Sequence, residues 1–146
     1  DGYDVNRLNA GLQTLLKSLK LEYLFIDTHP GLNEETLLSV AISDMLIILL
    51  RPDQQDFQGT AVTVDVARRL DVPNLRLVVN KALVRYDFNQ MREQVQQTYG
   101  APVVGVLPLT EDMADLGSAD LFSLRYPNHQ WSQAVRGVAQ NILEMA

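Results

Sequence analysis

Tyr23-Leu24-Phe25-Ile26-Asp27-Thr28-His29-Pro30-Gly31 is the stretch on which the reading of this chain turns. An apolar run ends in a carboxylate, and a glycine follows four positions later. An Asp at a strand tip can hold the water shell of Mg²⁺, a cation that prefers oxygen ligands and keeps its waters. A glycine just beyond lets the backbone approach a γ-phosphate and swing when that phosphate leaves. The same letters also describe a strand-end Asp capping a turn before a helix, with Pro30-Gly31 as the turn. The residues alone leave both readings open. A glycine-rich phosphate loop to accompany Asp27 is absent from the 146 residues.

On the N-terminal side, Val5, Leu8, Leu12, Leu15, Leu16 and Leu19 form a helical stripe over residues 5–20 that Asp4 is placed to cap. Residues 23–27 read as a short strand. Asn33-Glu34-Glu35 opens the next helix, with acid where the helix dipole favours it. Met45 to Leu50 is apolar throughout, as expected of a strand covered on both faces. A polar loop, Arg51 to Asp56, leads to a helix marked by Val62, Val66 and Leu70, which Asp71-Val72-Pro73-Asn74 stops. Leu75 to Asn80 is a third strand. Asp87 and Gln90 resemble a capping box before Phe88, Met91, Val95 and Tyr99, and Gly100 ends that helix. Val103 to Pro108 is a fourth strand. A short helix near 111–116, an irregular stretch and a last helix from about Ser132 complete the chain. Strands alternating with helices predict a doubly wound α/β domain with a mostly parallel sheet. Such sheets bind ligands at the carboxyl ends of their strands, where Asp27, Asp53 to Asp56, Asn80, Lys81 and Pro108 gather.

Composition narrows the chemistry. The length suits one domain that buries roughly 70% of its unfolded surface. There is no cysteine, which excludes disulfides, thiolate nucleophiles, iron–sulfur ligation and Cys-based zinc sites. A net charge of −6 disfavours non-specific nucleic-acid binding. Met45 to Leu50, the longest apolar run, is too short to span a bilayer. Asp1 to Asp4 shows no basic segment followed by an apolar core, so a cytoplasmic protein is expected.

Other candidates weigh less. Asn80 can donate to and accept from a nucleobase edge while the Lys81 stem packs along the base plane, although an isolated Asn-Lys pair is also an ordinary solvated strand end. Gly100 and Gly105 have phosphate-loop spacing, but Val106-Leu107 stand where Lys and Ser/Thr are needed. His29 reads as a loop residue beside the site and His129 as a surface residue. Trp131, Val135, Val138, Ile142 and Met145 share one face of the last helix. That helix holds a single basic residue, Arg136, so core packing is expected rather than a membrane surface. A phospho-receiver with Asp27 as acceptor and Lys81 as its lysine would need an acidic pair at an earlier strand end, which the sequence lacks.

Taken in order, these segments resemble the MinD/ParA family of deviant Walker ATPases. Tyr23 to Gly31 before Leu32 to Leu37 resembles its switch II region, and Ser43 to Met45 through Arg51-Pro52 its next strand and loop. Leu75 to Lys81 is similar to its Asn-Lys base-contacting strand, and Val103 to Pro108 to the strand ending in a proline near the base. The resemblance spans nearly the whole chain and implies that residues 1–146 are the C-terminal portion of a single ATPase domain of P-loop type. It implies ATP and Mg²⁺ as cofactors of the intact parent, a homodimer around two nucleotides, and a protein partner. Asp27 would orient a Mg²⁺-bound water, Gly31 would face the γ-phosphate, and Asn80, Lys81 and Pro108 would surround the base. Asp53 to Gln58 would lie where loops of the family meet the nucleotide or the other subunit. The family's Gly-Lys-rich loop and switch I aspartate fall upstream of residue 1, so no catalytic residue is assigned and no ATP hydrolysis is expected from these residues alone.

The family also places its phosphate-loop strand between the strand at 23–27 and the strand at 45–50. Two unpaired edges are therefore expected, met either by a longer parent or by rearrangement or strand-mediated dimerisation. The leading expectation is a segment of an ATP-dependent positioning switch for division-site placement or for chromosome and plasmid partition. The absence of cysteine argues against cluster-bridging relatives, and acidity against direct nucleic-acid or membrane binding. The alternative is a catalytically silent α/β module that binds a protein partner.

Overall fold

A computed structural model of the chain describes residues 5–144; the Asp4 cap and Met145 fall outside the described residues. Ten elements follow in order: α1 (Val5–Leu19), α2 (Glu34–Ala41), β1 (Met45–Leu50), α3 (Gln54–Arg69), β2 (Asn74–Ala82), α4 (Phe88–Tyr99), β3 (Val103–Pro108), α5 (Glu111–Leu116), α6 (Phe122–Arg125) and α7 (Gln130–Leu143). The three strands form one parallel sheet in the order β1-β2-β3. Met45 sits opposite Asn74 and Leu50 opposite Val79. The fold is therefore α/β with a parallel sheet, as the alternating pattern predicts.

Alternation along the strands, offset in β3 by the register shift between Val103 and Gly105, divides the core between two faces. Ile48, Leu50, Leu77, Val79, Val103 and Val106 pack with Val64 of α3 and with Val95 and Tyr99 of α4. On the opposite face Val78, Val104 and Leu107 receive Trp131, Ala134, Val135 and Val138 of α7. That spacing of i, i+3, i+4 and i+7 is one stripe of a helix. Every residue of β3 is buried, because α4 and α7 cover it from opposite sides. Gly105 sits where α7 comes nearest, and a Cβ there would collide with Val138.

Local chemistry sets the helix ends. Asn33 Oδ1 accepts from the Thr36 amide, and Asp87 Oδ1 from the amides of Asn89 and Gln90. Caps of this type contribute about 1 kcal/mol each. Gly100 closes α4 in the left-handed region at φ 58°. The Arg68 guanidinium, from the last turn of α3, donates to the Tyr99 and Gly100 carbonyls at 2.6 and 3.2 Å. Asp53 caps α3, which starts at Gln54, so the polar loop expected through Asp56 is shorter than its composition suggests. Asp56 is drawn to Arg51, whose amide and guanidinium donate to its carboxylate at 2.8 to 3.1 Å. The Arg51 side-chain hydrogen bond, reinforced by the Arg51 amide, lowers the Asp56 pKa.

One predicted strand does not form. Residues 23–27 adopt no regular element and have no ladder partner, and they are exposed, Phe25 by 77%. An apolar run becomes a strand only when a neighbour supplies hydrogen bonds. The sheet ends at β1, with no strand beyond it among the described residues. The irregular stretch after α5 contains one turn of helix, α6, and the last helix begins two residues earlier than expected, at Gln130.

Two outcomes follow from this packing. Gly105→Ala is expected to destabilise the chain by about 1–3 kcal/mol through overpacking against α7, and adding Val138→Ala should recover part of the loss; urea midpoints measure both. A carboxylate with a lowered folded pKa contributes stability above the ordinary carboxylate pKa and loses it as pH falls through the lowered value. Arg51→Ala should therefore move the Asp56 titration, followed by carboxyl NMR, upward toward the ordinary value, with a small stability loss near neutral pH because solvent reaches both partners of the pair.

Candidate functional site

β2 pairs with β1 as far as Val79 and with β3 from Leu77 to Ala82, so Asn80 and Lys81 lie in its last stretch, which β3 alone flanks. Val79 pairs with Val106 and Ala82 with Pro108, so Asn80 and Lys81 together oppose the single residue Leu107. This is a β-bulge, a device that bends a strand and re-aims its side chains. Lys81 takes the left-handed conformation at φ 56°. For a residue with a Cβ this costs about 1–2 kcal/mol. Its amide donates to Asn80 Oδ1 at 2.9 Å, which fixes the carboxamide of a half-buried Asn beside an exposed Lys. Asn80 Nδ2 has no protein acceptor among the described residues. Leu109 then donates to the Ala82 carbonyl at 2.8 Å, closing the ladder just past Pro108. Asn80, Lys81 and Pro108 are thus brought together at the carboxyl ends of adjacent strands.

Asp27 and Gly31 occupy a separate segment. Asp27 is exposed on an irregular stretch rather than at a strand tip, and its carboxylate has no hydrogen bond or ion pair among the described residues. Gly31 adopts φ 99°, and a Cβ there would meet nothing within 4 Å. The need for glycine at this position is therefore conformational, not steric. The loop is tied to α2 by Thr36 Oγ1, which donates to the His29 carbonyl at 3.4 Å. No described hydrogen bond or ion pair links this loop to Asn80, Lys81 or Pro108.

The fit to the implied cofactors is uneven. A fixed carboxamide with an unused donor suits a nucleobase edge, and a lone exposed carboxylate suits a Mg²⁺ ion held through water. The described residues hold no group of three or more His, Cys, Asp or Glu around a metal. No Gly-Lys-rich loop occurs within the 146 residues.

Two features went unnoticed in the sequence. His129 is not a plain surface residue: its Nδ1 accepts from the Trp131 amide as the cap of α7, and its Nε2 lies 3.1 Å from Asp112 Oδ2. The Phe122 ring stacks edge-to-face on it at 5.0 Å. His129 also lies far from His29 in sequence, and no described contact joins the two. A cleft of about 650 Å³ opens between α4 and the start of α3, floored by Phe57, Met91, Val95 and Tyr99 and edged by Tyr86 and Gln94. It shares no residue with the Asn80–Lys81–Pro108 cluster. A run of Phe88, Met91, Val95 and Tyr99 at helical spacing was the only sequence signal for it. No helix of the described residues is long and apolar enough to cross a membrane.

No protein-family model matches the sequence, and no curated protein matches it significantly. The fold does have solved counterparts. The MinD cell division protein of Aquifex aeolicus is similar over 97% of this chain and 61% of its own, with a TM-score of 0.81 and 17% identity. The MinC:MinD cell division protein complex of the same organism matches over 99% of this chain and 60% of its own, with a TM-score of 0.82 and 16% identity. The cell division ATPase MinD of Pyrococcus furiosus matches over 98% and 60%, with a TM-score of 0.79 and 18% identity. The chain spans about three fifths of the length of these structures. At such identity the likeness is one of architecture: the chain has a MinD-like α/β fold.

Proposed function

We propose that this chain is the C-terminal segment of a MinD/ParA-like ATPase, an ATP-dependent dimerisation switch in intracellular positioning, whether of a division site or of chromosomes and plasmids. The observation that carries this reading is the bulge at the end of β2. A strained backbone at a ligand-binding sheet end is a common mark of a functional site, and here it holds Asn80 and Lys81 beside Pro108. In this reading Asn80 donates to and accepts from adenine, the Lys81 stem lies along the base, and Pro108 bounds the pocket. Asp27 orients a water on Mg²⁺ and Gly31 faces the γ-phosphate, each supplied with its phosphate loop by a longer parent. The parent works in the cytoplasm as a homodimer around two nucleotides and engages a protein partner; a neighbour solved as a MinC:MinD complex supports that last expectation.

A second reading, a catalytically silent module of the same shape that binds a protein partner, is favoured by one observation. The Asp27–Gly31 loop is not joined to the Asn80–Lys81 bulge by any described bond.

Calorimetric titration with Mg-ATP separates the two. Binding by a parent that carries the phosphate loop, weakened at least tenfold by Asn80→Ala, is the expected result. Absence of nucleotide binding by that parent would favour the silent module. Lys81→Gly gives an independent test, since glycine adopts φ 56° without a Cβ penalty. Its thermal stability should hold or rise by up to about 1 kcal/mol, while nucleotide affinity of the parent falls.

A further inference from the structure

His129 stands at the turn between α6 and α7, and both nitrogens of its ring are engaged. Nδ1 accepts from the Trp131 amide at 3.1 Å and so caps the first turn of α7. Nε2 donates to Asp112 Oδ2 of α5 at 3.1 Å, and the same oxygen accepts from Thr110 Oγ1 at 3.4 Å. The buried Phe122 ring meets the rings of both His129 and Trp131 edge-to-face, which holds the imidazole between its two partners. Few charged groups face that ring. α5 presents Asp112, whereas its Glu111 and Asp115 make no described bond to His129. α6 presents Phe122 and, against it, the Tyr126 ring, while Arg125 makes no described bond to His129. The first turn of α7, Gln130 to Gln133, contains no charged residue, and neither does β3.

We infer that His129 is a proton-operated latch at the start of α7: the neutral ring caps the helix, and the protonated ring gives up the cap and holds Asp112 instead. A neutral imidazole offers one donor and one acceptor, an imidazolium two donors. A proton taken up at Nδ1 therefore sets one N–H against the Trp131 N–H, and that bond has to part. The positive end of the helix dipole opposes the same charge. At the other nitrogen the bond to Asp112 becomes charge-assisted, roughly twice as strong as a neutral one. Each protonation state thus keeps one tie and weakens or releases the other. The two ties restrain different parts of the molecule. Trp131 packs against the Val78, Val104 and Leu107 cluster, so the cap steadies the helix that covers β3. Asp112 follows Pro108 by four positions, so the ion pair steadies the segment that leaves β3. This inference makes no use of the nucleotide reading.

The test is NMR of the chain from about pH 8 to pH 5, the range in which histidine ordinarily gains its proton. At the alkaline end the ring nitrogen shifts should show the proton on Nε2 and none on Nδ1. As the ring titrates, the protection factor of the Trp131 amide, which is corrected for the intrinsic pH dependence of exchange, should fall about fivefold, the loss expected of one helix cap. The Asp112 carboxyl carbon should shift in the same step. His129→Asn supplies a side chain that caps as well and does not titrate, so it should hold the first turn of α7 protected across the range. His29→Gln removes the only other histidine and should leave the step in place. A proton on Nδ1 at the alkaline end overturns the proposal. So does a Trp131 protection factor that stays flat while the His129 ring titrates, or a step that persists in His129→Asn. An Asp112 carboxyl carbon indifferent to the ring's titration overturns it as well.

Discussion

Pairing of β2 along both of its edges is the constraint from which the rest of the arrangement follows. Where both neighbours flank it, from Leu77 to Val79, the strand cannot slip by one residue without turning its apolar set to the wrong face. Leu77, Val79 and Ala82 are accordingly fully buried under α3 and α4, and Val78 faces α7. With that register fixed, the extra residue at Asn80–Lys81 has to be absorbed as a bulge. Lys81 is forced into a conformation that a lysine would not choose. The backbone geometry at the candidate site is thus tied to the packing of the core.

Packing on the two faces is asymmetric in kind. The α3 and α4 face is held by many apolar side chains and tied at the helix ends by Arg68 and by the Tyr99 hydroxyl, which donates to the Phe57 carbonyl at 2.9 Å. Burial raises the Tyr99 pKa, so this hydroxyl keeps its proton and its bond well into alkaline solution. The α7 face depends on a close approach at a single glycine and on a ring cluster of Phe122, Tyr126, His129 and Trp131 around the first turn of the helix. The hydrogen bonds at His129 fit one tautomer of the neutral ring. Nδ1 must lack a proton to accept from Trp131, which leaves the proton on Nε2 to be donated to Asp112.

What was legible in the sequence was whatever local pattern decides. Apolar runs bounded by turn residues gave β1, β2 and β3, and capping residues gave the starts of α2 and α4. Asn80, Lys81 and Pro108 fell together because strand order alone aligns strand ends. The failures share one physical origin, dependence on a partner remote in sequence. Tyr23 to Asp27 has strand composition, but pairing requires a neighbour that local composition cannot supply. His129 found Asp112 seventeen positions away, and Arg68 found the end of α4 more than thirty positions on. The left-handed Lys81 was invisible because only glycine announces that conformation in a sequence.

The parallel sheet also governs how the chain must fold. Met45 meets Asn74 and Leu77 meets Val103, so each ladder closes a loop of more than twenty-five residues that includes a whole helix. No hairpin is present in the sheet to nucleate it, and loop-closure entropy must be met before any inter-strand bond forms. Non-local pairing of this kind slows folding relative to a helical bundle of equal size. The apolar strand Met45 to Leu50 precedes β2 in the chain and must wait for it before their ladder can form. During that interval the chain's solubility rests on its net negative charge and on the speed with which α3 folds back over β1.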